Sequence, residues 1–290
     1  MEATLPTDAA QGWYTLGEIY RSRAVIAEAQ PLAGAQLLEA SVRCFEAVLG
    51  MPPVDPPIDL DALMELASAL LELGRVCQLA QGPGSARVPE LVMGAAARCA
   101  AVEALDPAQT EFAMDLKMDI ARVVMGHGDQ VAAAAAWSTA FAACEVAAAG
   151  AEGQQGADEI RARALYNAAC VAALRTPLDE MQARACLTSA VEMALAADAA
   201  AASTAAQDQR RAMLAAPTQA AVAAASGGQE ELDDAYVTLD DLQGDSDLAC
   251  VRGCDWFGEL VVRLGGSGGG SSGGGTTVDS DGMDMEMSQR

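Results

Sequence analysis

Apolar residues recur at helical spacing along most of the chain, in pairs of segments separated by short breaks. The clearest pair lies between Ala164 and Ala190. Each of its two segments has one face of small apolar residues: Leu165, Ala168, Ala169 and Ala172, then Ala183, Leu187 and Ala190. Because residues three and four apart are neighbours on a helix, this spacing predicts two closely packed antiparallel helices. At the break, Thr176 is expected to cap the second helix and Pro177 to lie in its first turn.

Three earlier pairs follow the same pattern. Their second segments carry repeated contact positions: Ala40, Cys44 and Ala47; Ala95, Cys99 and Val102; Ala133, Trp137 and Ala140. Glycine and proline mark the connections at residues 51–60, at residues 81–89 and at Gly126–Asp129. Strand patterns are nearly absent, so the sequence predicts an all-α protein built from four helical hairpins.

The first pair resembles a tetratricopeptide repeat (TPR). Its first helix has the spacing W-x2-L-G-x2-Y at Trp13, Leu16, Gly17 and Tyr20. Its second helix has Ala40, Cys44, Ala47 and Pro52 at the family's A-x3-F-x2-A-x4-P spacing, with cysteine in the aromatic position. The resemblance implies a right-handed superhelical solenoid of about four TPR-like hairpins, with lengthened helices and loops and a C-terminal helical cap.

The last unit has a second resemblance. The residues LYNAAC, Leu165–Cys170, and the spacing D-x-DL-x2-VR-x4-F-x2-L between Asp245 and Leu260 are similar to the terminal repeat of some TPR proteins. These include chloroplast factors that assist photosystem II assembly, and bacterial TPR proteins. The membrane-anchoring helices of the chloroplast factors have no counterpart here.

Composition divides the chain into four regions. We expect a TPR-like repeat domain over residues 1–195 and an alanine-rich, low-complexity insertion over residues 196–228, with helix extending as far as Arg211. Residues 229–264 combine an acidic segment with capping helices. Residues 265–290 are expected to form a disordered Gly/Ser and acidic tail, either natural or partly engineered.

The chain is strongly acidic, with 41 acidic against 17 basic residues and a net charge of -24. This field would repel nucleic acid and suits a basic protein partner, although acidity also serves solubility. The sequence shows no long uncharged apolar run and no secretory signal, so we expect no membrane span. A cytoplasmic or nuclear location is expected, with the chloroplast left open as an alternative.

Catalytic, cofactor-binding and metal-binding patterns are absent from the sequence. His127 is the single histidine and Lys117 the single lysine, and no phosphate-binding loop precedes that lysine. The eight cysteines contain no CxxC motif and are interpreted as reduced and mostly buried, with Cys250 and Cys254 sharing one face of a helix. We therefore expect a protein that is not an enzyme and needs no cofactor or metal.

The family resemblance implies that the first helices of successive hairpins line a concave binding face. The inward candidates by spacing are Tyr14, Glu18, Arg21, Met64, Ser68, Leu71, Met114, Asp115, Met118, Tyr166, Asn167 and Cys170. The methionines among them also fit a purely structural role in the core. Some TPR domains bind the C-terminal peptide of cytosolic heat-shock chaperones through several lysines and asparagines. This chain has one lysine, Lys117, and one asparagine, Asn167, so that binding mode is excluded.

The leading hypothesis is a non-enzymatic scaffold or adaptor that binds a peptide or helix of a partner protein, with a basic segment as a suitable partner. The first alternative is a dedicated chaperone or assembly factor for a basic or membrane-protein client, with photosystem assembly as one pathway that the resemblance implies. The second alternative is an enzyme with a cryptic site, which no sequence motif supports.

Overall fold

The computed structural model describes residues 6–27, 30–52, 58–151, 157–175, 177–215 and 237–267. The regular structure of these residues is entirely helical, which confirms the predicted all-α class. Its helices are α1 (Pro6–Ile26), α2 (Pro31–Leu49), α3 (Asp59–Gln81), α4 (Val88–Leu105), α5 (Thr110–His127), α6 (Gln130–Gly150), α7 (Ala157–Leu174), α8 (Glu180–Ala215), α9 (Leu239–Gly244) and α10 (Asp255–Ser267). A short 3₁₀ helix, Ser246–Leu248, lies between α9 and α10. Helices that follow one another in sequence pack together in adjacent pairs.

The first pair is held together by a close approach at Gly17. A Cβ atom at Gly17 would lie 2.8 Å from the ring of Phe45 on α2. The Gly17 carbonyl accepts a hydrogen bond of 2.8 Å from the buried hydroxyl of Ser41. Tyr14 contacts Phe45 edge-to-face, with ring centroids 5.6 Å apart. Since the contacts move back along α2 as they move forward along α1, the two helices are antiparallel.

The buried face of α2 is shifted by one residue from the predicted one. The sequence pattern placed Ala40, Cys44 and Ala47 in the contact. The structure instead buries the position that follows each of these residues. Ser41, Phe45 and Val48 are completely or almost completely buried. Cys44 is also buried, whereas Ala40 and Ala47 are only half-buried. The physical reason is the ring of Phe45, which fills the space that Gly17 leaves open and so sets the rotation of α2.

The predicted contact positions of the other pairs are buried. This applies to the second helices at Ala95, Cys99, Val102, Ala133, Trp137, Ala140, Ala183, Leu187 and Ala190. It applies equally to Ala168, Ala169 and Ala172 on α7, while Leu165 is half-buried. Alanine at these positions lets neighbouring helices approach closely, and the few large side chains fill the gaps between them.

The break between α7 and α8 differs from the prediction. Pro177 precedes the helix rather than lying in its first turn, because α8 begins only at Glu180. Asp179 performs the capping role predicted for Thr176: its carboxylate accepts a hydrogen bond of 3.2 Å from the Gln182 backbone N–H. Thr176 lies outside the described residues. A carboxylate at this position also interacts favourably with the positive end of the helix.

The turn predicted at Gly126–Asp129 is shorter in the structure: Gly126 and His127 complete α5, and only Gly128 and Asp129 separate it from α6. Gly128 has a φ of 93°, in the left-handed region that glycine adopts at low cost. The side chain of Asp129 then accepts hydrogen bonds from the backbone N–H groups of Val131 and Ala132, at 3.1 and 3.0 Å, and so caps α6.

Helix α8 is the longest element and extends through Ala215, slightly beyond the predicted limit at Arg211. Its side chains pack in the core as far as Ala194, whereas residues 198–204 are exposed. The alanine content explains this, because alanine favours helix without requiring a partner. The remainder of the predicted insertion, residues 216–228, and the start of the acidic segment lie outside the described residues, as do residues 268–290 of the predicted tail.

The C-terminal segment packs against the fourth pair. Leu242, Leu248 and Val251 are fully buried, and they share one apolar cluster with residues of α5, α6, α7 and α8. The 3₁₀ helix contacts α7, and α10 contacts α8. Residues 237–267 thus lie against both helices of the fourth hairpin.

The cysteines are free thiols, and six of the eight are buried. The prediction that Cys250 and Cys254 share one face of a helix is wrong. They lie in the turn between the 3₁₀ helix and α10, because α10 begins only at Asp255. Burial raises the pKa of the Cys99 thiol to about 11 and that of Cys144 to about 12, which keeps both protonated at neutral pH.

Candidate protein-binding surface

Four first helices form a continuous row. Contacts that skip one helix join α1 to α3, α3 to α5, and α5 to α7. Arg75 on α3 forms an ion pair of 2.6 Å with Asp119 on α5. Three residues further along α3, Gln78 donates a hydrogen bond of 2.7 Å to the carbonyl of Val123, which lies four residues further along α5. Because the partners advance together, α3 and α5 are parallel. We call the surface formed by α1, α3, α5 and α7 the odd-helix face.

At one end of this face, Arg21 of α1 is held by two carboxylates of α3. Its Nε donates a hydrogen bond of 3.0 Å to Glu72 Oε1, and its Nη1 pairs with Glu65. Burial would lower the pKa of Arg21, but the hydrogen bonds with Glu72 and Glu65 outweigh it and raise that pKa. Glu65 and Glu72 are seven residues apart, and therefore lie on the same side of α3.

Tyr14 and the exposed Glu18 lie beside this ion-pair group on α1. Burial is the main reason that the pKa of Tyr14 rises to about 12, and the nearby carboxylates of Glu18, Glu65 and Asp61 raise it further. The three carboxylates of Glu18, Glu65 and Asp61 thus outnumber the one guanidinium, that of Arg21, near this phenol. Its ring is only half-buried, so it offers both apolar and polar contact area.

Two further predicted site residues, Met64 and Ser68 on α3, are half-buried. The Ser68 hydroxyl donates a hydrogen bond of 3.0 Å to the Met64 carbonyl. The predicted residues Tyr14, Glu18, Arg21, Met64 and Ser68 thus retain accessible surface on α1 and α3.

Four of the predicted groove residues lie in the core: Leu71, Met114, Met118 and Cys170, each at most 2% exposed. A partner cannot contact them in this conformation, so their assignment to a binding surface needs correction. For the two methionines, the structure agrees with the core interpretation. Helical periodicity predicts which side chains point toward the inner side of the stack. It does not distinguish the inner positions that stay accessible from those that pack against the neighbouring helix.

Asp115 of α5 lies where α5 meets α7. Arg163 of α7 pairs with Asp115 and, at 3.6 Å, with Glu111. Burial raises the pKa of Asp115, Arg163 opposes that rise, and the neighbouring carboxylates of Asp119 and Glu111 add to it. Carboxylates are thus crowded at this end of the face as well.

The last part of the predicted groove is covered by the chain's own C-terminal segment. The Tyr166 hydroxyl donates a hydrogen bond of 2.8 Å to Asp245 Oδ2, and the Cys170 thiol lies 3.5 Å from the same oxygen. Arg122 of α5 pairs with Asp247 at 2.6 Å. The remaining predicted residue, Asn167, has its amide nitrogen 3.7 Å from the Met114 sulfur. Tyr166 and Cys170 are therefore contacts of residues 237–251 and not free groove residues.

The charged residues of the odd-helix face are mostly ones that the sequence reasoning missed. They are Asp61, Glu65, Glu72, Arg75, Glu111, Asp119, Arg122 and Arg163, which join the predicted Glu18, Arg21 and Asp115. Carboxylates outnumber guanidinium groups in this set. The signal available in the sequence was the seven-residue spacing of Glu65 and Glu72, together with arginines that recur on successive first helices.

Lys117 lies on a different side of α5. It pairs with Glu103 of α4 at 2.6 Å. The two residues border a cleft of about 450 Å³ between α4, α5 and α6, whose other lining residues are mainly alanines. The single lysine is thus neutralised locally and lies apart from the carboxylates of the odd-helix face.

Two helical stretches of the described chain are long and apolar enough to cross a membrane: Gln130–Gly150 and Glu180–Thr204. Core helices of soluble proteins meet the same criterion. In this fold both stretches contribute side chains to the core, such as Trp137 and Leu187. Within the described residues, no group of three or more histidine, cysteine, aspartate or glutamate side chains is arranged to hold a metal ion.

Comparison with known proteins found no protein-family model and no curated protein that matches the chain.

Proposed function

We propose that this protein is a non-enzymatic scaffold that binds a basic segment of a partner protein on the odd-helix face. The observation that carries the proposal is the excess of carboxylates on this face, centred on Arg21, Glu65 and Glu72 where α1 meets α3. Lysine and arginine side chains of a partner would gain charge-assisted hydrogen bonds there. Tyr14 and Met64 would add adaptable apolar contact area.

The proposal includes a TPR-like, right-handed superhelical stack as the scaffold. Two observations support it. Helices pack as antiparallel pairs, and the first helices of successive pairs contact one another directly. A row of parallel first helices is the arrangement by which helical-hairpin solenoids create an extended binding surface.

The corrected contact set is narrower than the predicted one. It comprises the accessible residues of α1 and α3: Tyr14, Glu18, Arg21, Met64 and Ser68, together with Glu65 and Glu72. The end of the face near Tyr166 is not included, because residues 237–251 already occupy it. A partner segment would lie across α1 and α3 and extend toward α5.

The test is fluorescence-polarisation binding of labelled peptides rich in arginine and lysine. Glu65→Gln combined with Glu72→Gln should weaken binding by about tenfold or more, because two charge-assisted contacts are lost. Glu46→Gln combined with Glu90→Gln is the matched control, since these exposed glutamates lie on the second helices α2 and α4. Equal weakening in both double variants would contradict a localised site, and the absence of binding by the unmodified protein would contradict the function.

A dedicated assembly factor or chaperone for a basic or membrane-protein client, including a photosystem component, is the second candidate. Acidic residues on the C-terminal segment favour it, since Asp240 and Asp241 are exposed on α9. Deleting residues 229–290 is an unsuitable test, because Leu242 and Leu248 are fully buried and the deletion would open the core. Replacing Glu230, Glu231, Asp233 and Asp234 by their amides tests the acidic segment alone. Unchanged suppression of client aggregation would contradict a role for these acids.

A further inference from the structure

The side of α1 that faces away from the core carries a regular set of residues. With 3.6 residues per turn, six positions fall within about 100° of one another around the helix. They are Asp8, Gly12, Thr15, Leu16, Ile19 and Arg23, and we call this surface the outer face of α1. The buried residues Ala10, Gly17 and Ala24 lie on the opposite side. Leu16 is half-buried, and the other five residues of the outer face are exposed.

The corresponding face of α3 is packed against another helix. Three fully buried residues of α3 lie 50 positions after Gly12, Leu16 and Ile19 in the sequence: Ala62, Leu66 and Ala69. They share apolar clusters with Val48 and Phe45 of α2. The outer face of α1 therefore has the spacing of a helix-packing surface, but on α1 this surface is exposed.

The outer face contains both a depression and a side chain that fits one. A Cβ atom at Gly12 would meet nothing within 4 Å. A shallow depression of about 550 Å³ lies along this glycine, between Asp8 and Ile19. Ile19 is 44% exposed and projects about two turns further along the same side of the helix. Since the depression and the projecting side chain lie on one surface, two copies of that surface are complementary to each other.

We propose that the outer face of α1 is a dimerisation surface, at which two copies of the chain pack antiparallel about a two-fold axis. The axis passes between Thr15 and Leu16, so each residue faces the one equally far from the axis in the other copy. Ile19 then faces Gly12, and Asp8 faces Arg23. The two-fold axis repeats each contact, which gives two apolar contacts and two ion pairs. A crossing angle of about 20° keeps the helices in contact along their length.

The charges of the outer face favour this antiparallel arrangement. In a parallel pair identical residues would meet, so that Asp8 would face Asp8 and Arg23 would face Arg23. The antiparallel arrangement converts the same four charges into two attractive pairs. Each chain carries a net charge of -24, which opposes association at long range. At physiological salt this repulsion is screened beyond about 8 Å, and the local complementarity of the outer face decides the outcome.

The symmetry of the contact closes the assembly at two copies. The last hairpin presents a different surface, because α10 packs against α8. Two outer faces therefore pair with each other and leave no second outer face for a third copy. One helix from each copy makes a small interface, so we expect a dissociation constant in the micromolar range. The dimer does not depend on the proposed binding of a basic segment, since Tyr14, Glu18 and Arg21 lie on other sides of α1.

The experiment is sedimentation velocity of the full chain over roughly 1–200 μM, a range that spans the expected dissociation constant. The unmodified chain should dimerise within it. Asp8→Arg and Arg23→Asp should each weaken association by about tenfold, because two attractive pairs become repulsive. An equimolar mixture of these two variants should associate as the unmodified chain does, since each introduced charge then faces an opposite charge. A mixture that associates no better than its components would overturn the proposal.

Ile19→Ser tests the apolar contact, and Val25→Ser is its matched control. Val25 is also exposed, at 59%, but lies on another side of α1. Ile19→Ser should weaken the dimer by about tenfold or more, because two buried side chains are lost per dimer, whereas Val25→Ser should leave it unchanged. Circular dichroism verifies that every variant is folded. An unmodified chain that stays monomeric would overturn the proposal, as would equal effects of the two serine substitutions.

Discussion

Gly17 sets the distance between α1 and α2, since the ring of Phe45 occupies the space where a Cβ atom would lie. Phe45 is fully buried, so a methyl group added at Gly17 would press against a packed core. Gly17→Ala should therefore lower the free energy of unfolding by about 1–3 kcal/mol, as overpacking of a core does. Chemical denaturation measures this change.

Gly12→Ala provides the matched control on the same helix. Gly12 is exposed, and a Cβ atom there would meet nothing within 4 Å. Alanine should stabilise the protein by about 0.5–1 kcal/mol at this position, because it is the better helix former. Stabilisation by both substitutions would contradict the close contact at Gly17.

Tyr14 makes stability depend on alkaline pH. Its pKa is raised from about 10 to about 12 by burial and then by Glu18, Glu65 and Asp61. Between these two pH values the unfolded chain loses the phenolic proton while the folded chain retains it. The contribution of Tyr14 is therefore complete below pH 10 and is lost as the pH rises through 12.

Tyr14→Phe removes this titration. We expect the midpoint of chemical denaturation to fall less steeply between pH 10 and pH 12 in the variant than in the unmodified protein. Difference absorbance of tyrosinate should also lack one group that ionises near pH 12. Identical pH profiles for the two proteins would contradict a raised pKa of Tyr14 in the folded chain.

At the scale of elements, helical periodicity predicted the four hairpins and most of their contacts. The buried positions Ala95, Trp137 and Leu187 follow directly from spacing. Spacing did not predict the rotation of α2. Ala40 and Ser41 lie on adjacent faces of that helix, and both side chains are small enough to pack against α1. Only the meeting of Phe45 with Gly17 distinguishes the two faces, and that contact is not local in sequence.

The candidate site was less predictable for the same reason. Ion pairs such as Arg75 with Asp119 join residues on different hairpins, and no local pattern specifies them. The covering of Tyr166 by Asp245 depends on how the chain returns after α8. Sequence spacing identified Tyr166 as inward-facing, but it could not show that another part of the chain lies against it.

Asp245 links the C-terminal segment to α7. It caps the 3₁₀ helix by accepting a hydrogen bond of 2.8 Å from the Asp247 N–H, and it accepts another from Tyr166. Asp245→Ala should lower the free energy of unfolding by about 1–2 kcal/mol through loss of the cap. Hydrogen exchange should accelerate most at residues 242–251. Asp240→Ala, an exposed change on α9, should have a smaller effect; equal effects would contradict the linking role of Asp245.

At the scale of the whole molecule, the two ends of the odd-helix face differ. The end at α7 is covered by residues 237–251, while the end at α1 and α3 keeps exposed carboxylate and tyrosine surface. In the proposed function, this difference between the two ends would direct a basic partner toward α1 and α3. The overall acidity of the chain should also accelerate this association at low salt.

The most direct test of this account is to locate a bound basic peptide by site-specific photo-crosslinking. A photoreactive amino acid would replace Ser68 on α3 in one protein and Ser138 on α6 in the other. Both serines lie on helices and donate a hydrogen bond of 3.0 Å to a carbonyl four residues earlier, so the replacements are matched. We predict crosslinks to an arginine- and lysine-rich peptide from position 68, weakened by added salt, and none above background from position 138. Crosslinking from position 138 alone would contradict the odd-helix face as the binding surface.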